Sequence, residues 1–285
     1  MSEATHRAAE ALRRALDETT IGELSFPTSV DASRRVMKAV ENPDLGLDAL
    51  AKIVVAEPLL SAKVIRLANS VALNPLGNTV RDVKQAVMRV GMDPIKSLAM
   101  SLVLDQLRQS HRHSRCRQLS NRLWERSIHI AALSYVLARK LTRLDADEAM
   151  FAGIVHDLGR FYLLSRAAEY PELLDDTQTL AELINDLGDR AGARVLGELD
   201  LPESVVHAVL ASRRYGGSMP PATLGDLLFV AGALSPRTDP FDELDARVVI
   251  PENRAVALGL DQSTVVDAIT ASGDEIYSIV VALES

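Results

Sequence analysis

Cysteine, aromatic residues and long apolar runs are all scarce in this chain. Cys116 is the only cysteine among 285 residues, so no intrachain disulfide can form and a reducing, cytoplasmic setting is expected. Aromatics make up 4% of the residues and apolar residues 47%. The core must therefore be built from Leu, Ala and Val, a mixture that suits helix-on-helix packing better than a sandwich or barrel. No apolar run approaches the ~20 residues of a membrane span. The N-terminal MSEATHRAAEALRRALDE carries acids and no apolar segment, which reads as an amphipathic helix over residues 1–20 and not as a signal peptide. Phosphate-binding motifs are missing as well: the chain has no GxxxxGKS/T, no GxGxxG behind a strand and no GxSxG.

Positive charge is short too, and unevenly so. The net charge is −8. Residues 224–285 hold three Arg against eleven Asp or Glu, which accounts for all of it and leaves the remainder near neutral. An acidic surface is a poor partner for nucleic acid. One stretch runs the other way: Arg108, Arg112, Arg115, Arg117 and Arg122, with His111 and His113, lie between residues 106 and 124 with no acid among them.

What is present is helical periodicity. Leu47, Leu50, Ala51, Val54 and Val55 form one stripe; Leu60, Val64, Leu67, Ala68 and Val71 form a second behind Pro58. Val80, Val83, Val87 and Val90 form a third, with Thr79 and Asp82 at capping-box spacing and Gly91 as a C-terminal cap. Asp93-Pro94 opens a fourth helix. A long helix is expected from near Leu119 to Leu141, and another, started by Asp145 and Glu148, carries FAGIVHDLGRFYLL. Thr179 and Glu182 suggest a further capping box, and Pro202 opens a helix through His207. YGGSMPP at 215–221 and SPRTDPFDE at 235–243 read as loops. Two helical patterns, near 253–258 and 263–283, end the chain, and residues 246–250 read as a short strand at most.

The adjacent His156 and Asp157 carry the most chemistry. Neighbours on a helix diverge by about 100°, and a hydrolytic metal centre needs about three protein ligands and an open position. His129 and His207 are the available extra histidines, and neither sits in a partner motif. The residues alone favour a core histidine beside an aspartate paired with arginine. His111, His113 and Cys116 have zinc-ligand types but no fourth ligand, so a solvated loop is the better reading. The basic stretch suits an anion or an acidic partner, with Arg112 and Arg115 as contacts. Residues 47–69 have the rhythm of a helix-turn-helix, with Lys63 and Arg66 on the second helix, but the turn Ala56-Glu57-Pro58 lacks glycine and an αα-hairpin fits better. Gly188, Gly192 and Gly197 stand in a helical pattern, where close packing is the simplest reason for them.

The order of segments resembles the HDOD family, a bacterial signalling and regulatory module related to HD-type metal phosphohydrolases. The likeness rests on Phe26-Pro27, Asn42-Pro43-Asp44, Glu57-Pro58 through Lys63 to Asn69-Ser70, the helix ending at Gly91, Trp124-Glu125-Arg126-Ser127, FAGIVHDLGR and Leu201-Pro202-Glu203. The resemblance implies an all-α, two-lobed helical bundle over residues 21–214, with a first lobe to about 115 and an HD-like lobe from about 116. An acidic helical extension at 222–285 is expected to pack on the second lobe. It also implies a regulatory role in signal transduction. The chain departs from the catalytic pattern where further ligands would stand: Arg126 follows Trp-Glu, Gly188 occupies a second histidine position, and Ser212-Arg213-Arg214 replaces histidines after the Leu-Pro helix. A cation would be repelled by Arg126 or Arg213.

The expectation is therefore a non-catalytic module, with no catalytic residue, metal or cofactor, that binds signalling proteins of unknown identity, with docking at the groove between the lobes. It is not expected at a membrane, and homo-oligomerisation stays open. Two alternatives remain. Arg126, Arg160 and Arg213 could hold phosphate or a nucleotide in a residual phosphohydrolase, provided they converge beside His156. Lys63 and Arg66 could read DNA.

Overall fold

The computed structural model describes residues 2–18, 30–40, 42, 44–109, 113–199, 201–217, 219–251, 256, 259 and 263–284. Among them every regular element is a helix. In chain order these are α1 (Glu3–Glu18), α2 (Val30–Val40), α3 (Leu47–Val55), α4 (Pro58–Ala68), α5 (Val83–Val90), α6 (Met92–Gln109), α7 (Ser114–Leu141) and α8 (Ala146–Val155). There follow α9 (Leu158–Ala167), α10 (Pro171–Asp175), α11 (Thr177–Glu198), α12 (Glu203–Ala211), α13 (Leu224–Leu234), α14 (Pro240–Leu244), α15 (Ser263–Ala271) and α16 (Gly273–Glu284). The family-like Phe26-Pro27 and the Arg112 and His111 of the basic stretch lie outside the described residues, as does most of 253–258.

The helices start where short polar side chains satisfy the free N–H groups of the first turn. Asp145 caps α8 as its spacing foretold, accepting from Glu148 N at 2.9 Å. Two expected capping boxes are shifted by three residues. Asp82, not Thr79, caps α5 through Gln85 N, and Asp176, not Thr179, caps α11 through Thr179 N. At α11 the Thr179 hydroxyl in turn donates to Asp176 Oδ2 at 2.9 Å, so the threonine supports the aspartate cap. The long α7 begins earlier than its apolar stripe, at Ser114, with the His113 ring accepting from Arg115 N. The 246–250 segment is not a strand; Val248 N closes a turn onto Asp245 O at 2.9 Å.

Helices α2 to α6 form the first lobe, with α6 packed on α2 and α4. Helices α7 to α14 form the second, in which α7 packs on α8 and α13, and α9 lies against α11. Helix α6 also touches α7, α8 and α9. It is buried nearly all round, through Ile95, Leu98, Ala99, Met100, Val103 and Leu104, as expected of a helix enclosed by both lobes. Helix α1 returns to the second lobe, on α10 and α11. Helix α16 lies on α7 and also on α4 of the first lobe. There Lys63 Nζ donates to Leu283 O at 2.6 Å, and Arg66 Nη1 to Val281 O at 3.4 Å. A buried cation at the carbonyl end of a helix meets the negative end of its dipole.

Candidate functional site: an arginine-filled HD pocket

The helix expected to run through FAGIVHDLGRFYLL is broken at its centre. Helix α8 ends at Val155, His156 and Asp157 form a turn, and α9 starts at Leu158. Across this turn both side chains reach one point: His156 Nε2 lies 3.0 Å from Asp157 Oδ2. Three glycines set the depth of that point. A Cβ on Gly159 would fall 2.3 Å from Gly192 N and 2.4 Å from Gly188 O, so α9 and α11 meet backbone to backbone. Gly197, by contrast, faces open space, and packing does not explain it.

Arg126 comes up from α7 to the HD turn. Its Nη1 lies 2.9 Å from both His156 Nε2 and Asp157 Oδ2. The other His156 ring nitrogen, Nδ1, lies 2.6 Å from Gly153 O. Arg160, one turn along α9, places Nη1 3.7 Å from Asp157 Oδ1, and the same nitrogen donates to Asp239 Oδ2. Its Nη2 donates to Asn185 Oδ1 at 3.3 Å. The result is a buried alternation of charge, Arg126–Asp157–Arg160–Asp239. Burial opposes ionisation of Asp157, but His156, Arg126 and Arg160 override it and hold the carboxyl well below the usual range. Burial pulls Arg160 down to about 10, against the opposing pull of Asp157, and it stays charged at neutral pH.

These groups line a cavity of about 180 Å³ together with Asp189, Ser212, Arg213, Phe229 and Asp242. Arg213 stands at the mouth, 43% exposed, with Nε donating to Asp189 Oδ1 at 2.7 Å. Arg126, Arg160 and Arg213 thus converge beside His156, but they share the cavity with Asp157, Asp189, Asp239 and Asp242. The arginines are neutralised from within.

The donor set does not fit a divalent ion. A cation held by His156 and Asp157 would need the place that Arg126 Nη1 occupies, and a fixed positive charge there repels it. His129 and His207 do not line the cavity. Gly188 cannot regain a larger side chain freely, because its Cβ would meet Arg160 Cγ at 3.2 Å. Among the described residues no group of three His, Cys, Asp or Glu side chains is arranged to hold a metal.

Other residues singled out in the sequence serve elsewhere. Arg115 does not reach the cavity; its Nη1 donates to Leu174 O at 3.1 Å. The basic stretch and acidic extension meet within the chain, where Arg122 Nη2 lies 2.5 Å from Glu243 Oε2. Cys116 is fully buried, and burial raises its thiol to about 11. Asn69 is a structural clamp that exchanges two hydrogen bonds with the Val80 backbone, at 2.7 and 2.8 Å. Ser70 is buried, and Glu57 precedes α4 with Pro58 at its first position. Lys63 is buried and turned to α16, so the α4 surface cannot present it to a duplex. Sequence reasoning missed Asp189, Asp239 and Asp242. Asp239-Pro240 did carry a signal, an N-cap followed by proline at the first helical position, but nothing in it pointed to Arg160.

The pattern of the HDOD domain matches residues 26–215. The chain belongs to the HDOD family. A curated relative, an uncharacterized protein of Treponema pallidum (strain Nichols), is 25% identical over 191 residues, covering 61% of this chain and 35% of its own. The HDOD chain therefore spans about a third of that relative's length. Among solved structures, a candidate metal-dependent phosphohydrolase from Shewanella amazonensis SB2B superposes with a TM-score of 0.75 at 23% identity, over 99% of this chain and 100% of that one. An HDOD domain protein from Geobacter sulfurreducens gives 0.65 at 17% identity, over 98% of each. A candidate signal transduction protein from Marinobacter aquaeolei VT8 gives 0.63 at 19%, over 99% of this chain and 67% of that one. At these identities the likeness establishes the all-α, HD-like fold. No helix among the described residues is long and apolar enough to cross a membrane.

Proposed function

We propose that this HDOD protein is a non-catalytic regulatory module of signal transduction that acts by binding another protein. The observation that carries the reading is the seat of Arg126, whose Nη1 lies 2.9 Å from both His156 and Asp157, where a catalytic cation would have to bind. A hydrolase of this type needs a metal to activate water, and here a guanidinium satisfies the two groups that would hold it. Surface for a partner helix exists in an open groove of about 700 Å³ between α4 and α16, lined by Ala62, Ile65, Val71, Tyr277 and Val281. The description of the Marinobacter relative as a candidate signal transduction protein agrees with this reading.

The test is turnover of phosphomonoester and phosphodiester substrates in the presence of Mn²⁺, Mg²⁺, Fe²⁺ or Zn²⁺. The reading expects the wild type and His156→Ala to be equally inactive, and expects Ile65→Asp or Tyr277→Asp to abolish binding of a purified partner that His156→Ala still binds. Metal-dependent turnover that His156→Ala abolishes would overturn it.

The convergence of Arg126, Arg160 and Arg213 gives a second reading, as a binder of phosphate groups, some support. Four carboxylates in the same cavity oppose it.

A further inference from the structure

One carboxylate that lines the arginine cavity comes from outside the family domain. The HDOD match ends at residue 215, and Asp239 lies between α13 and α14 with its side chain 2% exposed. Its two oxygens have separate tasks. Oδ1 accepts from Phe241 N at 2.9 Å and so caps α14; Oδ2 accepts from Arg160 Nη1. Pro240 and the fully buried Phe241 anchor the turn that presents it.

Its surroundings are built for an oxyanion. The Arg160 side chain is 3% exposed and that of Arg126 10%, and Nε of each is buried without a hydrogen-bond partner. Both line one cavity, with Arg213 and Ser212 at its mouth. Planar guanidinium groups match the paired oxygens of carboxylates and phosphates. Without Asp239 the lining would hold three arginines and three aspartates, and Arg160 would face the cavity with its closest carboxylate contact gone. An anion entering that gap restores the charge now supplied by Asp239, so the exchange is like for like.

We propose that Asp239 is an internal ligand that keeps a small-oxyanion site shut, and that carboxylate or phosphoryl oxygens bind Arg160 and Arg126 when Asp239 is withdrawn. A tethered group competes as though present at millimolar concentration or above, so the closed form binds free anions poorly. The C-terminal extension then acts as the gate of the HDOD pocket, by a route that needs neither a metal nor hydrolysis and does not depend on the protein-contact reading.

The test is chemical rescue in the full chain. Thermal unfolding of wild type and Asp239→Ala is followed against sodium formate and sodium phosphate, each matched to sodium chloride at equal ionic strength. Asp239→Ala is expected to lose stability and regain it saturably with an oxyanion, while the wild type responds to oxyanion and chloride alike. The same anion should shift the Nε–H resonances of Arg126 and Arg160 in the variant. Rescue by formate alone marks a site for acidic side chains, and rescue by phosphate as well marks a site for phosphoryl groups. Where Asp239→Ala does not fold, Asp239→Asn keeps an acceptor for Phe241 N and is titrated with both anions by calorimetry. Formate and phosphate indistinguishable from chloride in the variants, or a wild-type response as large as theirs, would overturn the proposal.

Discussion

Arg126 and Asp157 form a buried ion pair, Nη1 to Oδ2 at 2.9 Å, with 10% and 4% of their side chains exposed. Desolvation makes such a pair a weak source of net stability, but removing one member strands the other. Arg126→Met should therefore cost about 3–5 kcal/mol. Asp157→Asn in the same background should recover part of that loss, with a coupling energy of about 0.5–3 kcal/mol in a double-mutant cycle followed by urea unfolding. Additive single effects would show that the pair is not a unit.

Gly159 and Gly197 should respond to alanine in opposite directions. At Gly159 the new methyl would run into the backbone of α11 at 2.3 and 2.4 Å, so the two helices must part, at a cost of about 1–3 kcal/mol or more. At Gly197, within α11 and with nothing near its Cβ, alanine should stabilise by up to about 1 kcal/mol through helix propensity. Differential scanning calorimetry of the two variants checks the pair of signs.

Asp147 should weaken the fold at neutral pH. Burial, then Asp145 and Asp93, raises its carboxyl to about 6. The folded chain thus binds this proton more tightly than the unfolded chain, and stability falls as pH rises from about 4 to 6. Asp147→Asn should remove that slope, gaining stability at pH 7 and little at pH 4. A wild-type and variant pair with parallel pH profiles would contradict this. Asp157 contributes the reverse slope: its depressed carboxyl stabilises above the unfolded carboxylate range and loses that contribution as pH falls through its folded value.

Lys63 ties the last helix to α4 at a desolvation cost. Burial, chiefly, lowers its amine to about 8, so the unfolded chain holds the proton more tightly and stability should rise between about pH 8 and 10. Lys63→Met should abolish that rise. It should also raise amide exchange in α16 relative to α11, because Leu283 O loses its donor. Unchanged exchange in α16 would show that the contact does not hold the helix.

The sequence was most informative where local chemistry decides. The stripes at 47–55 and 60–71 located helices because most of their apolar positions are buried, Leu50, Val54, Leu60, Val64 and Leu67 among them, whereas Val55 and Val71 at the stripe ends are exposed. Arg126 was legible as a departure from its place after Trp124-Glu125, and an arginine partner for Asp157 followed from the need to neutralise a buried charge, but only the fold shows that Arg126 is that partner. The carbonyl partner of Arg115 was not legible, because a basic run says nothing of which carbonyls lie nearby, and Arg115 Nη1 donates to Leu174 O. The HD break was hidden because Val155, Leu158 and Phe161 keep a helical rhythm across it. Asp239 was invisible as a site residue, since its partner Arg160 stands 79 positions earlier and only the tertiary fold unites them.

The central claim is that Arg126 has taken the place of a metal at the HD turn. The most direct measurement is metal stoichiometry of wild type and His156→Ala, after incubation with Mn²⁺ or Zn²⁺ and desalting. The account predicts the same substoichiometric content in both proteins. One equivalent or more in the wild type, lost in His156→Ala, would contradict it.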